Sequence, residues 1–122
     1  MDRRGKKPDE TQVSFRLPRG IRSQPVYPTI VVEFNQRTYA YLIEEASYVI
    51  GRAEDSDICI QDANLSRYHA RIERRGNAIW IQDLDSTNGV YLNDLRIYAS
   101  QLFSTDIVTL GEVLIYLREV AT

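Results

Sequence analysis

The chain has 122 residues, room for one hydrophobic core but not for two independent ones. Its 43% hydrophobic and 26% charged residues exclude a disordered or fibrous chain, its one cysteine excludes an internal disulfide, and Cys59 with the lone His69 cannot make a structural zinc site. The net charge of −2 hides a division: residues 1–22 carry seven Arg or Lys against three acids, whereas residues 23–122 carry eight Arg, no Lys and fourteen acids, so the body is a poor receptor for nucleic acid. Residues 1–28 are predicted to be a flexible basic tail, because they hold all four prolines (Pro8, Pro18, Pro25, Pro28) and no sustained apolar periodicity. No apolar run approaches the about 20 residues that cross a bilayer, and the opening residues lack a secretory signal's apolar stretch. No membrane span and a cytoplasmic location are expected.

From Thr29 onward short apolar or alternating runs recur every eight to twelve residues, at 30–34, 39–43, 48–50, 57–60, 69–73, 78–81, 90–92, 107–110 and 113–117. They are rich in β-branched and aromatic residues and alternate with period two, which predicts strands. Asn35-Gln36, Arg75-Gly76-Asn77, Asn93-Asp94 and Gly111-Glu112 separate runs as hairpin turns. About ten short strands with no helical stripe predict an all-β sandwich or barrel. Trp80 and Cys59, inside such runs, are expected in its core.

Three connections carry more chemistry than a turn requires. They are residues 51–57, opened by Gly51-Arg52; residues 62–69, containing Ser66-Arg67-Tyr68-His69; and residues 83–89, containing Ser86-Thr87-Asn88-Gly89 and followed by Asn93. Arginine forks, hydroxyls and amides gathered in loops are suited to holding a phosphate dianion. In this order, at these spacings and on strand texture, the set resembles the forkhead-associated (FHA) domain, a phosphothreonine-binding module, from about Thr29 to Glu119. The resemblance implies a β-sandwich of about eleven strands over residues 29–119, with residues 120–122 as a C-terminal end and phosphopeptide-reading loops at one end of the sandwich.

By that resemblance Arg52 reaches the phosphate, Ser66 donates its hydroxyl to it and Arg67 adds a contact by side chain or backbone. Thr87 helps to build the pocket, and the Asn88 amide grips the peptide main chain. Asn64 lies in the loop that selects the side chain three positions after the phosphothreonine, and Ser86 is a second candidate for specificity. Gly51, His69, Gly89 and Asn93 are structural members of the motif, His69 by tying loops together. Val90 stands where many members have threonine, and Asp94 follows Asn93 where glycine is frequent; both bear on peptide preference.

The expected function is therefore phosphothreonine-dependent protein–protein interaction in kinase signalling, with a Ser/Thr kinase or its substrate as partner. The alternative is a degenerate FHA scaffold that binds an unphosphorylated partner or itself. No enzyme is expected: there is no Ser-His-Asp arrangement with a credible base, no phosphate loop ending in Gly-Lys and no metal cluster, and no cofactor is called for. Residues 9–15 place acids before Thr11 and apolar residues after it. They loosely resemble the kinase-targeted segment that precedes some bacterial FHA domains, which implies Thr11 as a phosphorylation site and the tail as a ligand of its own or a neighbouring pocket. An ordinary linker threonine is the alternative there.

Overall fold

The computed structural model describes residues 27–118. The expected tail and the Thr11 site fall outside these residues, except for Tyr27 and Pro28. Pro28 is buried and its carbonyl accepts the Ile43 N–H at 2.9 Å, so the ordered fold takes in the last of the prolines assigned to the tail.

Eleven strands follow in chain order: β1 (Thr29–Phe34), β2 (Arg37–Leu42), β3 (Ser47–Gly51), β4 (Ile58–Cys59), β5 (Ala70–Arg75), β6 (Ala78–Asp83), β7 (Val90–Leu92), β8 (Leu95–Ile97), β9 (Ala99–Leu102), β10 (Val108–Leu110) and β11 (Val113–Arg118). They form one sheet ordered β2-β1-β11-β10-β7-β8 and a second ordered β4-β3-β5-β6-β9. Every pairing is antiparallel except β3 with the two-residue β4. The sheets close as a sandwich over one core, in which Ile30, Val32, Val90, Val108, Leu110, Val113 and Ile115 from the first meet Ile50, Ile58, Ala70, Ile72, Ile79, Ile81 and Leu102 from the second. The expected sandwich is thus realised, and the barrel is not.

Period-two geometry decides which side of each strand is buried. Ile79 and Ile81 are fully buried, so Trp80 between them turns outward, half-buried, with the Arg75 guanidinium 4.4 Å from its ring centre. Ile58 is inward, and Cys59 beside it is exposed. The expectation that Trp80 and Cys59 lie in the core is corrected by this parity. Strands β8 and β9 match no predicted run, because Leu95, Arg96 and Ala99 are exposed and Leu102 alone of the two strands is buried.

Turn chemistry fixes the register. Asn35 and Gln36 (φ 58° and 65°) and Asn93 and Asp94 (φ 50° and 72°) have both central residues in the left-handed region, as type I′ turns require. Among these last two, Asp94 stands where glycine is frequent in the family, and aspartate is one of the side chains that tolerates this backbone region.

Candidate functional site

The β3–β4, β4–β5 and β6–β7 connections meet at one end of the sandwich because β3 ends, β5 begins and β6 ends at the same level: Ile50 pairs with Ala70 and Ala70 with Asp83. Backbone bonds then sew the first two loops together. Arg52 N–H donates to Ser66 O (3.0 Å), Ala53 N–H to Arg67 O (2.9 Å) and His69 N–H to Ile50 O (2.9 Å). Gly51 makes this approach possible, since a Cβ there would overlap the Arg67 carbonyl group.

His69 joins the second loop to the third. It is completely buried, its Nδ1 accepts the Ser66 N–H at 3.0 Å, and its Nε2 lies 2.8 Å from Gly89 O. An accepting Nδ1 leaves the ring proton on Nε2, which therefore donates to the Gly89 carbonyl. Across the same junction Ser66 Oγ accepts the Thr87 N–H at 3.0 Å, and Asn88 Nδ2 donates to Asn64 O at 2.9 Å. Gly89 follows with φ +92°, and the Arg96 side chain lies flat against its missing Cβ, with Nε 2.6 Å from where that atom would stand.

This bonding leaves donors to spare. Arg52 uses Nε on Leu65 O (3.0 Å), and its two Nη groups have no hydrogen-bond or ion-pair partner among the described residues. Ser66 accepts through Oγ, and its own hydroxyl proton has no acceptor among them. Half-buried Arg52 and Ser66 and exposed Arg67, Thr87 and Asn88 are thereby brought to one end of the molecule. An anion there would meet a guanidinium fork and a hydroxyl already held in place, the chemistry of a charge-assisted site. Neighbouring Asp55 does not pair with Arg52; it accepts the Tyr68 hydroxyl at 2.8 and 3.1 Å, which pushes the Tyr68 phenol above its ordinary pKa. The Arg67 guanidinium lies 6.0 Å from the Tyr68 ring centre.

Two members of the motif lie apart from these donors. Ser86 is buried at 7% exposure; its N–H donates to Asp83 Oδ1 (3.0 Å) and its Oγ accepts the Gly89 N–H (2.9 Å), so it shapes the third loop from within rather than offering a specificity contact. Asn93 sits in the β7–β8 hairpin, where Nδ2 donates to Asp106 Oδ1 and Oδ1 accepts the Ile107 N–H, both at 2.9 Å. Residues not singled out from the sequence also matter. Ser56 donates its hydroxyl to Arg67 O (3.2 Å), Asp62 Oδ1 accepts the Asn64 N–H (3.0 Å), and Asp83 and Arg96 act as described. The Asp62-x-Asn64 pattern carried a legible side-chain turn signal; the Arg96–Gly89 contact is tertiary and carried none.

The FHA domain family model matches residues 48–111, more than half of the chain. FhaA of Mycobacterium tuberculosis is 35% identical over 78 residues, which cover 64% of this chain and 15% of FhaA. The structure of the FhaA FHA domain complexed with the intracellular domain of Rv3910 is similar at a TM-score of 0.67 and 33% identity, covering 75% of this chain and 99% of that one. Mycobacterium tuberculosis EmbR in complex with a low-affinity phosphopeptide is similar at a TM-score of 0.70 and 31% identity, covering 81% of this chain and 26% of EmbR. The chain thus spans only a small part of the full-length relative FhaA.

Proposed function

The chain belongs to the FHA domain family, and from that membership we propose that it is a non-enzymatic reader of phosphothreonine in partner proteins. Arg52 and Ser66 hold the phosphate, Arg67 adds a further contact, Thr87 completes the pocket, and Asn88 grips the peptide main chain. The observation that supports the reading is a pair of donors without partners among the described residues, the Arg52 Nη groups and the Ser66 hydroxyl, held beside each other by the Arg52–Ser66 and His69–Ser66 bonds. A phosphothreonine brings about −1.5 to −2 charges and three acceptor oxygens to match them. The partner is a Ser/Thr kinase or a kinase substrate carrying that mark. Phospho-Thr11 of the chain's own tail is a second ligand of the same pocket.

Binding to an oriented phosphothreonine peptide library tests this, with phosphoserine and unphosphorylated sets and a phospho-Thr11 tail peptide alongside. Binding confined to phosphothreonine is expected, with Arg52→Ala weakening it at least tenfold and leaving the fold intact. Equal affinity for unphosphorylated peptides, or an unchanged Arg52→Ala variant, would overturn the reading in favour of contacts made by the sheet surfaces.

A further inference from the structure

The outer strands of a sheet present a row of backbone N–H and C=O groups, and proteins keep such strands short, charged or broken by proline. Among the described residues the outer strands are β2, β8, β4 and β9, and three of them are short: β4 has two residues, β8 three and β9 four. β2 is the exception. Its six residues, Arg37-Thr38-Tyr39-Ala40-Tyr41-Leu42, include no proline, no lysine and one charge, Arg37 at the start. Its strand partner among the described residues is β1 alone. All but Tyr41 are exposed, Tyr39 at 43% and Leu42 at 52%.

Register tells what this edge would take. Tyr39 pairs with Val32 and Tyr41 with Ile30, both fully buried, so the two tyrosines stand on the core side of the sheet. A strand laid beside β2 would cover the Tyr39 ring with apolar side chains of matching parity. Thr29 pairs with Leu42, so the chain enters the fold one strand away from this edge. At about 4.8 Å per strand, the open side of β2 lies about 10 Å from β1.

The chain ahead of Tyr27 holds one stretch with strand parity. Gln12-Val13-Ser14-Phe15-Arg16-Leu17 alternates polar and apolar residues, is six residues long like β2, and is followed by Pro18. So short a run cannot hold a strand alone, but an existing edge supplies its backbone partners. Residues 18–28 join it to β1, and these eleven residues reach at most about 36 Å. That spans the distance to the edge and the roughly 17 Å length of β2, in either strand direction. A tether of this length raises the local concentration to the order of millimolar, which favours the chain's own segment over a second copy. Charge favours it too: residues 1–22 hold seven Arg or Lys against three acids, and exposed Glu44 and Glu45 follow β2.

We propose that residues 12–17 pair with the open side of β2 as a seventh strand of the first sheet, placing Val13, Phe15 and Leu17 on the side of Tyr39 and Tyr41. This docking uses a sheet edge, not the loops, and is separate from phosphothreonine reading.

Amide hydrogen exchange followed by NMR on the unphosphorylated full chain tests this, beside a Val13→Pro, Phe15→Pro variant that alters no residue of either sheet. In an antiparallel pair every second N–H of β2 points away from β1. Those amides should exchange at least roughly tenfold more slowly in the parent chain than in the variant, equally at low and high protein concentration. Equal rates in the two chains overturn the proposal. Protection that grows with concentration overturns it in favour of a second copy on the edge. A difference confined to β4, β8 or β9 overturns it in favour of docking elsewhere. No phosphopeptide enters the experiment, so each outcome leaves the reader function untouched.

Discussion

His69 shows how one side chain can set a whole site without facing the ligand. Its two ring nitrogens are spent on Ser66 N–H and Gly89 O, so it fixes the hydroxyl-bearing loop against the loop that carries Thr87 and Asn88. His69→Ala would strand a buried donor and a buried acceptor, at about 1–3 kcal/mol each, and leave a cavity. A loss of about 3–5 kcal/mol in urea unfolding is expected, together with weakened phosphopeptide binding. Arg52→Ala, by contrast, should move the urea midpoint little, because only one of its guanidinium nitrogens is bonded among the described residues. Similar stability losses in the two variants would contradict this division of labour. From sequence, Arg52, Ser66, Thr87 and Asn88 were legible as residue types in order; that Ser86 is buried and committed to Gly89 was not, because its partners are set by the backbone path of the loop.

At the scale of elements, alternation explains both what was legible and what was missed. Strands such as β1 and β11, with β-branched residues on the inward side, stand out in the sequence. β8 and β9 do not, because they are held by pairing with β7 and β6 while burying almost nothing themselves. Trp80 was misplaced for a related reason: its size suggests burial, but its strand parity is set by Ile79 and Ile81. Register therefore makes a measurable distinction within β6. Ile81→Ala should cost about 2–5 kcal/mol through transfer and cavity terms. Trp80→Ala, which removes a half-buried outward ring and its Arg75 contact, should cost about 1 kcal/mol. Urea denaturation of the two variants checks this, and a larger loss at Trp80 would overturn the assigned parity.

For the molecule as a whole, the proposed function makes residues 23–122, with eight Arg against fourteen acids, meet a phosphate by local charge matching at Arg52 and Arg67 rather than by a broad basic field. Ligand binding should then appear as global stability. At a peptide concentration one hundredfold above Kd, the native state gains about 2.7 kcal/mol, and a domain of this size should melt roughly 10–20 °C higher. The phosphate monoester has its second pKa near 6, so it is a dianion at neutral pH and a monoanion in mild acid. The melting shift should therefore be large at about pH 7.5 and shrink as pH falls through about 6, whereas unphosphorylated peptide gives no shift at either pH. Scanning calorimetry across that range checks the sign.

The pairing of Thr29 with Arg118 has a consequence for how such a domain is built into larger proteins. In an antiparallel pair the two backbones lie about 5 Å apart, so the domain's entry and exit share one doorway. The β10–β11 turn lies at the loop end, where a Cβ on Gly111 would stand 3.0 Å from Asn64 Cβ, and β11 runs away from it, which puts that doorway at the opposite pole. Such a unit can be spliced into a surface loop of a host as a cassette, with little loop-closure entropy to overcome and its reading end pointing outward.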